Sequence, residues 1–376
     1  MSQQIAVRCT LMRGGTSKAV FLNENQVPRD LKARERFLLA LFGSPDKRQI
    51  DGLGGADPLT SKCALVAPPS RPDADIDYTF AQIGIDEPIV SYEIVCGNIS
   101  SATGVYAIEE GFVRPQEPVT TVRVHNTNTG KVLRVMVQVR DGRPLVEGDF
   151  AIDGVPGTGA EVALDYSDTT GGATGKLLPT GRARDAVHVP SLGRAIAVSI
   201  VDVGTLCVFF RATDLGLTGI ELPGQIGDAQ LQGAAEIRQA AASLCGLPDD
   251  NVFTPFQIMV GLPADYPGYG DARMIRAAEI DFVARMIGQR GMHKAFPGGG
   301  STCASVAAQI EGTVVHACSS SHEGPRRVRI GHPSGVLPVY GHVESTAAGW
   351  EVRAVHFSRT VRRLMDGHAY VSSRLL

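Results

Sequence analysis

The sequence predicts an α+β protein made of two similar halves, each built around a central helix. Three observations carry this reading. Short runs of alternating apolar and polar residues dominate the chain, as at 121–125 and 135–139. Helical patterns are few and isolated, which argues against the regular winding of a parallel βαβ sheet. One segment of unusual composition sits in each half, at 96–111 and 303–312, and each opens on Cys, runs through small residues and closes on Ile, Glu and Gly. Small residues on every side suit a helix enclosed by other elements, and the closing Gly suits the left-handed position just past a helix end. Length agrees, since 376 residues at about 150 per domain make roughly two domains.

In chain order, the first polar signal is Met12-Arg13-Gly14-Gly15-Thr16-Ser17-Lys18. Gly-Lys-[ST] is absent, so it is not a phosphate loop. It reads as an anion-holding turn in which Thr16 and Ser17 offer hydroxyl and N–H donors, or as an ordinary turn between strands. Asp30 then caps a helix with Leu31, Leu38, Leu41 and Phe42 on its apolar face, closed by Gly43 and Pro45. A Gly-rich stretch from Asp51 leads into an apolar strand at 62–66, with Ser61 and Lys62 at the junction. The polar run from His125 to Lys131 reads as a substrate contact or a solvated hairpin. Residues 195–200 and 327–330 read as strands, and Arg326, Arg327 and Arg329 as the solvent face of the latter. Asp228 caps a second helix through Ile237 and Leu244. A third is predicted over about 278–289, with Ile280, Val283 and Ile287 on one face. The run from Gly298 to Thr302, including Ser301, is either a nest of N–H groups for a carboxylate or a flexible turn.

Composition narrows the function. Lysine and arginine number 36 against 39 acidic residues, which leaves no electrostatic footprint for nucleic acid and no polybasic membrane patch. Seven scattered cysteines, none in C-x-x-C spacing, do not form a disulfide scaffold, and with no H-E-x-x-H pattern no metal is expected. The start of the chain lacks the basic and apolar regions of a secretory signal, and the most apolar stretch, 195–210, is broken by Asp202. A soluble cytoplasmic protein is expected.

The first amides of a helix lack internal partners and carry the positive end of its dipole, so they hold carboxylates readily. A Cys there gains thiolate character. Cys96, followed by Gly97 and Asn98, is therefore a candidate for chemistry, and Cys303 its counterpart in the other half. Such a site suits moving a proton on a carbon next to a carboxylate, with the developing enolate charge on oxygens already held by backbone donors. Lys62 is a candidate general base if its pKa is depressed toward neutrality; otherwise it is a solvated strand-end residue.

The segments 12–18, 48–62, 96–100, 125–131, Pro179-Thr180-Gly181, His293-Lys294-Ala295 and 330–335 resemble, in the same order along the chain, the PrpF family. That family includes 2-methylaconitate cis–trans isomerase, 3-methylitaconate Δ-isomerase and 4-oxalomesaconate tautomerase. The resemblance implies a diaminopimelate epimerase-like fold: two like domains, each a curled sheet around a central helix, with the active site in the cleft between them. It implies that Lys62 is the proton-abstracting lysine and Cys96 the active-site cysteine. The candidate substrate-binding residues are Arg13, Thr16, Ser17, Ser61, Gly97, Asn98, Ser301, Thr302 and Cys303, and the resemblance matches Cys303 to the second cysteine of the epimerases.

The expected domains are 1–185 with about 350–376, and 186–349. The expected activity is a cofactor-independent allylic proton shift or cis–trans isomerisation of an unsaturated di- or tricarboxylate such as 2-methylaconitate or 3-methylitaconate, with no organic cofactor. Its rivals are a 4-oxalomesaconate tautomerase, a racemase or epimerase using Cys96 and Cys303 as a pair, and a non-catalytic helper of a dehydratase. The expected partner is a small polycarboxylate, with no nucleic acid and no membrane, and homo-oligomer formation is left open.

Overall fold

The computed structural model describes residues 3–93, 95–248, 254–270, 273–288, 291–320, 324–347 and 349–374. The chain divides into two units, the first made of Met1–Ala151, Gly157–Leu164 and Arg359–Leu376, the second of Ile152–Pro156 and Asp165–Ser358.

In the first unit, β1 (Gln4–Gly14) and β2 (Ser17–Asn23) form a hairpin with Gly14 opposite Ser17. The helix α1 (Leu31–Phe42) carries the chain across to β3 (Lys62–Ala67), parallel to β2. Asp30 caps α1 through the Ala33 amide at 2.9 Å, and Gly43, at φ 72°, ends it. Its apolar face packs Phe37, Leu38, Leu41 and Phe42 against Leu22, Leu65 and Val371. Next come β4 (Ile76–Ile83), antiparallel to β3, and the short β5 (Val90–Ser91). The helix α2 (Gly97–Glu109) then leads to β6 (Val119–Asn126), parallel to β4. Strand β7 (Lys131–Arg140) is antiparallel to β6, followed by β8 (Arg143–Pro144) and by β9 (Glu161–Asp165), which pairs with β7. The end of the chain returns to this sheet, Val361 opposite Gly14 and Ser372 opposite Gln4.

The sheet curls around α2. Every residue from Gly97 to Ile108 is buried, and the helix meets β1, β2, β6 and β7. Only small side chains allow such close approach on all sides. A Cβ on Gly104 would stand 2.7 Å from Cγ1 of Val135 and 3.0 Å from Cγ2 of Val137. The enclosed hydroxyls are satisfied within the helix, Ser101 donating to the Asn98 carbonyl at 2.6 Å and Thr103 to that of Ser100 at 2.7 Å.

The second unit repeats this plan. Its strands are β10 (Asp185–Val189), β11 (Arg194–Val203), β12 (Thr205–Arg211), β13 (Phe256–Gly261), β14 (Tyr266–Pro267), β15 (Met274–Ile275), β16 (Phe282–Gly288), β17 (Gly291–Met292), β18 (Arg326–His332), β19 (Gly335–Thr346) and the first part of β20 (Gly349–Ser372). Its helices are α3 (Asp228–Leu244), α4 (Gly298–Ala307) and α5 (Val314–Cys318). Along β11–β12–β13–β16–β18–β19 the pairings run antiparallel, parallel, antiparallel, parallel, antiparallel. The same alternation runs along β1–β2–β3–β4–β6–β7. α3 stands where α1 does and α4 where α2 does, α4 again buried along its whole length. The likeness of two short segments in sequence is the visible part of a repeated fold.

Two local expectations change. Residues 282–288 are a strand, with only a 3₁₀ turn at Ala277–Glu279 before it. β16 lies between β13 and β18 and is buried on both faces, so its apolar run is nearly continuous and also satisfies a helical spacing; Gln289 lies outside the described residues. The N-cap of α3 is Gly227, with Asp228 the first helical residue. The chain passes between units at Ala151/Ile152, Pro156/Gly157, Leu164/Asp165 and Ser358/Arg359. Residues 165–185 pack on the second unit's strands, Gly171 donating to the Asp202 carbonyl at 2.8 Å and Asp202 to that of Leu177 at 2.9 Å.

Arg327 is exposed on β18, whereas Arg326 and Arg329 pair with the buried Asp281 at 3.7 and 2.8 Å. Among the described residues, no helix is long and apolar enough to cross a membrane. Gly104→Val overpacks the core of the first unit and is expected to cost about 1–3 kcal/mol, read by urea unfolding.

Candidate active site

Lys62 opens β3 and is 7% exposed. The β3–β4 register sets Gln82 opposite it, and Lys62 Nζ donates to Gln82 Oε1 at 2.6 Å with the Phe80 ring centroid 5.2 Å away. The next residue, Cys63, faces the core; burial, reinforced by Cys9, pushes its thiol far up and leaves it inert.

The Gly-rich loop before β3 is organised from within by Gln49, itself buried and at φ 46°. Its amide nitrogen donates to Ser61 Oγ at 2.6 Å and Ser44 Oγ at 3.0 Å, and its oxygen accepts the Ala56 amide at 2.8 Å. Gly54 lies against it, where a Cβ would stand 2.2 Å from Gln49 Cδ. Ser61, expected to touch substrate, is 0% exposed and is part of this scaffold. Its carbonyl accepts both the Gln82 side chain, at 2.9 Å, and the Ile83 amide, at 3.0 Å.

At the start of α2, Cys96 is the N-cap residue in extended conformation, partly exposed, and its side chain makes no capping bond. The Ser100 amide is bound to the Cys96 carbonyl at 2.8 Å; the amides of Gly97, Asn98 and Ile99, earlier in the helix, point out of its end. Asn98 ties this end to the β1–β2 turn. Its Nδ2 donates to Thr16 Oγ1 at 2.9 Å and reaches Ser17 Oγ at 3.5 Å, while Oδ1 accepts from Arg359 Nε at 2.8 Å. A Cβ on Gly14 would come within 2.2 Å of the Asn98 carbonyl oxygen, so the turn and the helix end share contact surface.

Arg13 does not point its guanidinium away from the fold. It donates to the Gly15 and Thr360 carbonyls at 3.0 and 2.8 Å and braces the turn, and burial, with Arg362 nearby, lowers its pKa from the ordinary value. The 125–131 hairpin spends its polarity on structure as well. Asn128 accepts from the Phe80 amide at 2.8 Å and donates to the Phe80 and Tyr92 carbonyls at 2.9 and 2.8 Å, anchoring the strand beneath Lys62.

In the second unit, α4 begins at Gly298, and its N-cap is Pro297. Cys303 therefore sits well inside the helix, 0% exposed, donating to the Val201 carbonyl at 3.1 Å. The counterpart of Cys96 is Pro297, because the second helix starts five residues before its cysteine. Ser301 and Thr302 are also 0% exposed, and their hydroxyls donate to the Gly298 and Gly299 carbonyls at 2.7 Å. Burial, with Cys303 adjacent, raises the Cys207 thiol. The glycines at this helix end are buried too, Gly299 against Thr205 and Gly300 against Pro297. The β11–β12 turn approaches the helix as the β1–β2 turn approaches α2: Gly204, at φ 71°, has room for no Cβ beside Thr302.

Gln82 stands in no motif of the sequence, and nothing local marks a role for Gln49, within the 48–62 segment, or for Arg359. The pairing of 62 with 82 could be found only from the register of two strands, and Arg359 lies 261 positions from Asn98. Among the described residues no group of three or more His, Cys, Asp and Glu side chains gathers as metal ligands. A cavity of about 310 Å³ lined by Arg8, Tyr106, Glu110 and Phe112 lies near the far end of α2 from Cys96.

The model of the PrpF protein family matches residues 4–372. The chain is 44% identical to 3-methylitaconate isomerase of Eubacterium barkeri, covering 100% of both chains. A crystal structure of a methylitaconate-delta-isomerase superposes with a TM-score of 0.80 at 42% identity, over 100% of this chain and 97% of that one. A hydroxyproline epimerase from Agrobacterium vitis shares the fold at 15% identity, with a TM-score of 0.58 over 100% of this chain and 94% of that one.

Asn98→Ala leaves the Arg359 Nε donor and the Thr16 contact without their partner. It is expected to lower stability by about 1–3 kcal/mol in denaturant unfolding.

Proposed function

The chain belongs to the PrpF family, and on that premise we propose that it isomerises an unsaturated di- or tricarboxylate by moving a proton along an allylic system, with 3-methylitaconate the leading substrate. The observation that carries this reading is the arrangement in the first unit. Lys62, a shielded primary amine with no carboxylate partner among the described residues, occurs in the same unit as a helix end that offers amides and a partly exposed thiol.

The chemistry follows from those groups. Lys62 as the free amine takes a proton from the carbon next to a C=C conjugated with a carboxylate. The electron pair left behind spreads through the double bond into that carboxylate as a dienolate. The amides of Gly97, Asn98 and Ile99 and the hydroxyl of Thr16 offer donors to the developing negative charge. Return of a proton to the far end of the allyl system shifts the double bond by one position; return after rotation about the loosened bond exchanges cis for trans. The proton comes from the Lys62 ammonium or from the Cys96 thiol. Arg13 and Ser61 hold the loops that shape the site. The glycines at the start of α4 would give the second unit a carboxylate-holding end of its own.

A two-cysteine racemase is disfavoured by the burial of Cys303 inside its helix. Cys303→Ala is expected to keep turnover within about threefold of the parent, whereas a paired acid and base would lose several orders of magnitude.

The direct test is incubation in deuterated water with 3-methylitaconate, 2-methylaconitate, aconitate and 4-oxalomesaconate, followed by NMR. Isomerisation of the first with deuterium entering the product at the far end of the allyl system, and exchange at the allylic carbon of recovered substrate, is expected, and Lys62→Met is expected to reduce both by about 10³-fold or more. Preference for 4-oxalomesaconate would move the substrate assignment. No exchange with any of them, together with a co-purifying dehydratase, would favour a helper role.

A further inference from the structure

We propose that Gln82 is the positioning residue of the Lys62 amine, a neutral acceptor locked in orientation by the backbone. The inference rests on the reading of Lys62 as the base and adds to it how that base is aimed and kept able to lose its proton.

The orientation of the Gln82 amide is determined by what surrounds it. Its nitrogen faces two carbonyls, Ser61 at 2.9 Å and Pro58 at 3.2 Å, and its oxygen faces Lys62 Nζ at 2.6 Å. Turning the amide over would set its oxygen against two carbonyl oxygens, losing both of those bonds, and its NH₂ against the lysine, losing the third whenever the amine is protonated. Gln82 is thus an acceptor toward Lys62 and nothing else. Strand pairing sets the two residues directly opposite, and the Ser61 carbonyl that holds Gln82 belongs to the residue before Lys62.

A neutral acceptor does what a carboxylate in its place would not. It takes one N–H from either the ammonium or the free amine, so the nitrogen keeps its direction through the proton transfer. A carboxylate at this distance would favour the ammonium and hold the base out of its working form. Ionisable residues on the elements adjoining the lysine are Lys18 on β2, Asp57 in the preceding loop, Asp77 on β4 and the buried Cys63, next in the chain after Lys62. Among the described residues the amine meets the Gln82 oxygen and the Phe80 ring. Asp77 lies at the other end of β4, opposite Ala67 and bound to His125 at 2.9 Å.

The test measures kcat and KM across pH for the parent, Gln82→Glu, Gln82→Met and Lys62→Met, with thermal unfolding as a check on folding. In Gln82→Glu the acidic limb of the kcat profile is expected to move up by about one pH unit or more, with turnover recovering at high pH. In Gln82→Met kcat is expected to fall by about tenfold or more with KM little changed and no upward shift of that limb. Gln82 variants with the parent's kcat and pH profile, alongside an inactive Lys62→Met, would overturn the positioning role and leave the base assignment standing. Full turnover by Lys62→Met would overturn both.

Discussion

A helix enclosed by sheet needs small side chains wherever a strand comes close, and the rest of this structure depends on that constraint. From Gly97 to Ile108 every residue of α2 is buried, and Gly104 admits no Cβ against β7. Burial immobilises the helix, so its first turn is held in one place, with its amides directed out of the helix end. The cysteine at the N-cap makes no capping bond, which keeps a thiol where a Ser or Asp would ordinarily be occupied with the helix itself. Enclosure thus turns an ordinary helix end into a fixed set of donors.

The lysine is held by a different route to a similar end. Its strand begins where a Gly-rich loop stops, and that loop is tied together by one buried glutamine, Gln49, reaching Ser44, Ala56 and Ser61. Ser61 passes the order on to Gln82, and Gln82 to Lys62. Each link before the amine is neutral. An ion pair would fix the amine as firmly, but by stabilising its charged form, which is the form that cannot accept a proton.

Duplication explains the frame and divergence the chemistry. The two units share the order and direction of six strands and the placement of two helices. Both bring a hairpin turn with a left-handed glycine, Gly15 or Gly204, onto the start of the enclosed helix. In the first unit that junction carries Asn98, Thr16 and Cys96. In the second it carries Pro297 and three glycines, and the cysteine has moved into the core. Repeating a fold preserves the backbone donors, which need no particular side chain, and leaves the reactive groups free to differ.

The sequence by itself determined what depends on neighbours along the chain. α1 with Asp30 and Gly43 at its ends, the hairpin strands, the small-residue helices and the candidacy of Cys96 at a helix start are local, set by spacing and by the groups a helix end leaves unpaired. The proposal that Lys62 is a base draws on family resemblance, since a strand-end lysine has no local mark of function. Tertiary structure decided the rest. β16 reads as helix or strand with equal ease until its neighbours bury both of its faces. Cys303 resembles Cys96 until the start of α4, set by packing around Gly298 to Gly300, places it in the core. Gln82 and Arg359 become partners of Lys62 and Asn98 only through strand register and the return of the chain's end to the first sheet, contacts that span too much sequence for any local pattern to record.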